Sequence, residues 1–273
     1  MAGSSAVVRL FKRLHRDLRH EAQLVARHPS PAAVHRARVA ARRLRSLTSV
    51  LTGLRERPAA QRYMRDLRAL AHELAVVREA DVMREELLDA ADGLKGTMPS
   101  AHRQLQLLLE QERSAARRDL HRHTRSLIWT ERMQRLDEAS RNLSEELARA
   151  GDGRVLARSM LLETAQALAH SRRQVNGRPR ALHRLRIQAK ASRYVTEVLG
   201  KQLGLDAERL AAPARATQQA VGRYLDGRDA RKWLARHRMA LDAPLHAELR
   251  ERLARDEKRA FKSSRRELRK LAS

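Results

Sequence analysis

Two stretches of this 273-residue sequence repeat the same order of histidine and basic residues, 148 positions apart. We call them the first basic row, His35, Arg38, Arg42 and Arg45, and the second basic row, His183, Arg186, Lys190 and Arg193. Guanidinium and ammonium groups donate charged hydrogen bonds, and arginine forks match the geometry of phosphate oxygens. Histidine adds a donor that gains charge near pH 6.5. The chemistry that these residue types offer together is the binding of a polyanion.

The spacing places each basic row on one face of an α-helix. At 100° per residue, the four residues of the first basic row fall within about 80° of one another, whereas Arg36 and Arg43 point elsewhere. An apolar stripe adjoins each row, so we expect both rows at the rim of a helical bundle or in a groove. Like charges at these spacings repel, and we expect no acidic residue placed to relieve them. A bound anion would supply that relief.

Other readings of the rows are a solvated charged face and, for the histidines, ordinary partly buried side chains. The repetition of the row favours ligand binding over a solvated face. Metal binding is disfavoured, because neither His35 nor His183 has a second histidine or a carboxylate three or four residues later. Protonation of the two histidines should strengthen anion binding as the pH falls through about 6.5.

The elements that must position these rows are helices. Aromatic residues make up 3% of the chain, Cys is absent, and strong helix formers such as Ala, Leu, Arg and Glu dominate. We therefore predict an all-α fold. Prolines that should open helices are Pro31, Pro58, Pro99, Pro179 and Pro244. Residues 100–150 lack Gly and Pro and should break near residues 126–130, and Pro213 should kink or start a helix.

A weaker second repeat extends the duplication. Residues 68–75 resemble residues 215–222 at an offset of 147, which adds Arg68 and Arg215 to the candidate site. We predict one domain over residues 1–273, built from two pseudo-symmetric four-helix bundle halves, about 5–150 and about 151–273. A basic groove or channel should lie between or across these halves.

The overall charge limits the classes of function. The formal net charge is +26 and the hydrophobic share is 42%, which suits a folded protein with an anionic partner. The absence of cysteine and of long apolar runs predicts a cytoplasmic protein without membrane insertion. No phosphate-binding glycine loop and no paired acidic motif accompany the basic rows, so we expect no enzyme, no metal and no cofactor. The acidic residues Glu79, Asp81, Asp226 and Asp229 should instead pair with arginines of the bundle.

The basic rows also carry a resemblance to a known family. Residues 34–45 and 182–194, supported by residues 74–81, resemble the CHAD family, the conserved histidine α-helical domain. The resemblance implies an all-α fold of two four-helix halves, binding of inorganic polyphosphate and association with polyphosphate granules. It implies that the eight residues of the two rows bind the anion. Ala191 and Ser192 stand where the family often has Arg and Leu, and Ala75 replaces the usual Gly.

Sequence-independent nucleic acid binding is the main alternative, because a pI near 11.6 attracts any phosphate backbone. Proteins that bind single strands usually stack bases on aromatic side chains. The seven aromatic residues are scattered singly and suit core or groove positions: Phe11, Tyr63, Trp129, Tyr194, Tyr224, Trp233 and Phe261. A polyphosphate-metabolising enzyme is a weaker alternative, and the sequence indicates no particular oligomeric state.

Overall fold

α-Helices make up nearly all of the structure, a computed structural model that describes residues 2–49, 58–149, 153–175 and 177–270. Within these ranges there are nine α-helices and no strand, so the predicted all-α fold is confirmed. The helices are α1 (Ala2–Arg27), α2 (Pro31–Ser49), α3 (Pro58–Ala91), α4 (Pro99–Thr124), α5 (Leu127–Arg149), α6 (Gly153–Arg173), α7 (Pro179–Gln202), α8 (Ala207–Arg236) and α9 (Ala243–Lys270). Short 3₁₀ helices follow α3 and α8.

Proline marks the helix starts as predicted. The helices α2, α3, α4 and α7 each begin at a proline, and Pro244 is the second residue of α9. Proline suits this position because its fixed φ is already helical and its missing N–H is not needed there. Ser30 adds a cap to α2 by accepting a hydrogen bond from the Ala33 amide at 3.2 Å.

The long glycine-free stretch is interrupted between α4 and α5, where the sequence predicts a break. α4 ends at Thr124, and the Ser126 hydroxyl accepts a hydrogen bond from the Trp129 amide at 3.3 Å as α5 begins. Pro213 does not open a helix. It lies in the second turn of α8, which begins at Ala207 with Asp206 as its cap.

Among the described residues, three hydrophobic cores hold the helices together. The largest core is formed mainly by α1, α2, α3 and α5, and Val195 and Leu199 of α7 also contribute to it. A second core joins α6, α7 and α8, and a third joins the ends of α3 and α4 to α8 and α9. The helices that carry the basic rows, α2 and α7, pack against each other. The predicted boundary between the halves, at residues 150 and 151, lies outside the described residues.

An acidic stripe on α3 neutralises many arginines of the bundle. Its members, Asp66, Glu73 and Asp81, follow one another at helical spacing and face α4 and α5. The ion pairs are Asp66 with Arg135 at 3.2 Å, Glu73 with Arg132 and with His123 at 3.0 Å, and Asp81 with Arg113 at 2.7 Å and Arg117 at 3.2 Å. These arginines therefore serve the packing of the bundle and are not free for a ligand.

Candidate functional site

The two basic rows meet at Tyr194. The Arg42 guanidinium of α2 lies 5.3 Å from the centre of the buried Tyr194 ring, and the Arg193 guanidinium of α7 lies 4.4 Å from it. Both contacts are within the range of cation–π attraction. The ring therefore holds one arginine from each row at the contact between α2 and α7. We call this strip of surface, with the two basic rows along it, the seam.

Several cations of the seam have no acidic partner. In the described part of the chain, no carboxylate lies within 4.0 Å of Arg38, Arg42, Arg45 or Lys190. The Nη1 atom of Arg38 is buried and makes no hydrogen bond to any described residue. A buried donor left in this way costs about 1–3 kcal/mol, which an oxygen of a bound anion would recover.

Burial and mutual repulsion lower the pKa values of these basic groups. Burial, together with the charge of Arg42, lowers the pKa of Arg38 to about 10, and the carboxylate of Glu79 only partly opposes this. Burial and the neighbouring Arg186 and Arg42 lower the pKa of Lys190 to about 7. The pKa of Arg42 is lowered too, by burial and by Arg193 and Arg186. The fields of the two rows therefore overlap across the seam.

Part of the second basic row is neutralised, and here the expectation that no acid relieves the rows is wrong. The carboxylate of Asp226 on α8 accepts two hydrogen bonds from Arg186, at 2.9 and 3.2 Å. Glu197, one turn after Arg193 on α7, lies 3.5 Å from it. Glu197 could have been recognised from its i+4 spacing, whereas Asp226 meets Arg186 only because α7 packs against α8.

The two additional candidate residues, Arg68 and Arg215, differ in their ion pairs. Arg68 is exposed on α3, and its charge lowers the pKa of Arg45 after the larger effect of burial. Arg215, its counterpart, lies 3.4 Å from Glu197 and 3.3 Å from Glu208. The structure therefore brings Arg68 to the seam as a cation without an ion pair among the described residues, and Arg215 as a paired one.

The histidines sit at the outer edge of the rows. His35 and His183 are both exposed. Partial burial, then the charges of Arg78 and Arg42, lower the pKa of His35 below its usual 6.5. Without a ligand, His35 therefore gains its proton at a lower pH than the sequence predicts. Arg78, on α3, was not among the predicted site residues, although it occurs within the stretch 74–81 that carries the resemblance.

The arginines predicted to point away from the row do so. Arg36 forms an ion pair with Glu21 of α1 at 2.9 Å, and Arg43 is exposed. Among the acids predicted to pair with arginines, the prediction is confirmed for Asp81 and Asp226. Asp229 pairs with Lys232 at 2.7 Å instead. Glu79 is exposed and acts on Arg38 only through its field.

The described ranges contain neither a candidate metal centre nor a candidate membrane span. No group of three or more His, Cys, Asp or Glu residues there is arranged to hold a metal ion. No helix there combines the length and the apolar character that crossing a membrane requires.

Comparison with known families decides the identity of the fold. Residues 9–235 match the family model of the CHAD domain. The chain belongs to the CHAD family. The match includes both basic rows and the α2 and α7 helices that carry them.

Two solved structures resemble this CHAD protein over almost its whole length. The crystal structure of the CHAD domain from the plant Ricinus communis is 20% identical, with a TM-score of 0.76 over 98% of this chain and 91% of that one. PptA from Streptomyces chartreusis is 14% identical, with a TM-score of 0.75 over 98% of each chain. At these identities the likeness shows the fold alone. No curated protein matches the chain.

Proposed function

We propose that this CHAD protein binds inorganic polyphosphate along the seam and does not turn it over. The observation that carries the proposal is the convergence of Arg38, Arg42 and Lys190, from two helices, with no acid within 4.0 Å of any of them in the described chain. Polyphosphate binding is the known function of CHAD domains. A chain that binds in this way would collect on polyphosphate granules.

The geometry of the first basic row suits a linear polyanion. Polyphosphate presents phosphate oxygens and no base or sugar, so its recognition needs only charge and donors. From His35 to Arg45 an α-helix rises about 15 Å, which is enough to contact several successive phosphates. The same strip is faced from α7 by Arg186, Lys190 and Arg193. These side chains would contact the polyphosphate from its other side.

The aromatic residues favour polyphosphate over single-stranded nucleic acid. Six of the seven aromatic side chains are buried, and Phe261 is half-buried and packed beside Tyr224. At the seam, the Tyr194 ring is already in contact with Arg42 and Arg193. Base stacking needs an open aromatic face, so the seam offers nucleic acid little beyond its backbone charge.

Competition binding tests the ligand. The purified chain is titrated with long-chain polyphosphate, single-stranded DNA and duplex DNA at two salt concentrations. Polyphosphate should outcompete single-stranded DNA of equal total charge, and its affinity should fall as salt rises because binding releases counterions. Equal or tighter binding of DNA would instead support a nucleic acid function.

The absence of turnover has its own measurement. Long-chain polyphosphate is incubated with the protein and Mg²⁺, and its chain length is followed on gels. The length distribution should stay constant, because the described residues contain no group of three or more His, Cys, Asp or Glu residues arranged to hold a metal ion. Shortening that disappears in Arg38→Ala would contradict the non-catalytic part of the proposal.

A further inference from the structure

Lys190 occupies an unusual place for a lysine. Its side chain is half-buried on α7, one turn after Arg186, and it faces Arg42 and Arg38 across the seam. The carboxylate that acts on it is Asp226 of α8, and both oxygens of that carboxylate are already bound by Arg186. The amine therefore lies in the field of three guanidinium groups and has no carboxylate within 4.0 Å in the described chain.

These surroundings disfavour the charged form of the amine. Burial removes water that would stabilise an ammonium ion, and three neighbouring positive charges repel it. Arginine in the same place keeps its proton, because its guanidinium loses it only at much higher pH. The free seam therefore has three permanent cations around one group that is only partly charged at neutral pH.

An arriving polyanion reverses this balance. We propose, on the basis of the function proposed above, that the seam binds polyphosphate together with a proton, which Lys190 accepts as the anion approaches. Phosphate oxygens beside the amine replace the repulsion from Arg38, Arg42 and Arg186 with attraction. Binding and protonation are then thermodynamically linked, so that affinity for polyphosphate rises as the pH falls.

Other titratable or charged groups also lie near the seam. His35 lies at its outer edge, and its pKa is below 6.5. On α3, Glu86 faces Asp226, and burial raises its pKa from an acidic starting value, while Glu79 and Arg78 face Arg38. The ends of polyphosphate titrate near neutral pH, as phosphate esters do with a pKa of about 6, so long chains with few ends are the suitable probe.

The linkage predicts a measurable proton uptake. With a pKa of about 7 in the free protein and an ordinary lysine pKa in the complex, binding at pH 7.5 takes up about 0.8 proton at Lys190. The same linkage makes affinity roughly tenfold or more weaker at pH 8.5 than at pH 6.5. Calorimetric titration with long-chain polyphosphate in two buffers of different ionisation enthalpy gives the proton count, and titrations at the two pH values give the affinities.

Substitutions distinguish the contribution of Lys190 to the pH dependence from the contributions of other residues. Lys190→Arg keeps a cation that does not titrate, so it should bind more tightly than the native protein at pH 8.5 and lose most of the pH dependence. Lys232→Arg, on α8 and paired with Asp229, is the matched control and should keep the native pH dependence. His35→Gln combined with His183→Gln should keep the loss of affinity between pH 7 and 8.5.

The outcomes distinguish this inference from the proposed function. A Lys190→Arg variant with the native pH dependence and proton uptake would overturn the role of Lys190. Native binding without proton uptake would do the same, while leaving polyphosphate binding intact. Failure of the native protein to bind polyphosphate at either pH would instead overturn the proposed function. Circular dichroism of each variant verifies its fold.

Discussion

The two basic rows have matching residues but different surroundings. In the second row Arg186 is held by both oxygens of Asp226, whereas in the first row no carboxylate of the described chain lies within 4.0 Å of Arg38. The position that corresponds to Asp226 at the offset of 147 is Glu79, which acts on Arg38 without forming an ion pair. The inner arginine is therefore neutralised in one row only.

The C-terminal ends of the two rows show the same difference in acidic partners. In the second row Glu197 lies between Arg193 and Arg215, 3.5 and 3.4 Å from them. The residue 148 positions before Glu197 is Ser49, whose hydroxyl donates a hydrogen bond to the Ser46 carbonyl instead. Loss of two acidic partners leaves the first row as the uncompensated one. Matching residue types along a sequence thus do not imply equal affinity for an anion.

The largest expected effect comes from the uncompensated row. Arg38→Ala with Arg42→Ala removes two guanidinium groups from the seam, each worth about 1.5–3 kcal/mol if it makes charged hydrogen bonds to phosphate. Arg36→Ala with Arg43→Ala removes the same charge from other faces of α2. Titration with polyphosphate should show a loss at least tenfold larger for the first pair.

The interpretation of this comparison depends on folded variants. Arg36 pairs with Glu21, so thermal unfolding is measured for both double variants. Equal losses of affinity from the two pairs would mean that the field of the whole protein, and not the seam, binds the anion.

An intermediate effect on affinity is expected when Arg186 of the second row loses its ion pair with Asp226. Asp226→Asn removes the negative charge that holds Arg186, so the guanidinium becomes available and affinity for polyphosphate should rise about threefold, in line with about 0.5–1 kcal/mol for a partly exposed ion pair. Asp229→Asn, which frees Lys232 of α8, is the matched control for the change in net charge. A weaker affinity for Asp226→Asn would show that Asp226 orients Arg186 for the ligand.

The smallest effect on affinity is expected from substitution of Arg68 and Arg215. Arg68→Ala should weaken polyphosphate binding about twofold to threefold, which is the range of an exposed charge contact. Arg215→Ala should change affinity less, because Glu197 and Glu208 already neutralise this side chain. Side-by-side titrations at low salt check the order, and a larger loss from Arg215→Ala would show that its acids release it on binding.

Much of the fold could be predicted because its signals are local. Proline at Pro31, Pro58 and Pro179 starts a helix wherever the following residues favour one, and no distant contact is needed to see it. The basic rows could be predicted for the same reason, since residues at helical spacing share a face whatever the packing.

The remaining features of the site depend on which helices touch. Asp226 is 40 residues from Arg186 in sequence, and nothing local links the two. The contact of Tyr194 with Arg42 joins residues on different helices, and the low pKa of Lys190 depends on burial between them. Glu197 is different, because its spacing from Arg193 was visible in the sequence.

The acidic stripe of α3 makes the distribution of positive charge over the molecule uneven. Asp66, Glu73 and Asp81 cancel the arginines that face them from α4 and α5, whereas Arg38, Arg42 and Arg45 of α2 have no carboxylate within 4.0 Å in the described chain. A large polyanion therefore exerts a torque on the approaching protein and turns the seam toward itself before contact. On a phosphate-rich surface, a protein that binds through the seam would keep this orientation, with the seam toward the surface. The helices α4 and α5, which pack against the acidic stripe of α3, would then lie away from that surface.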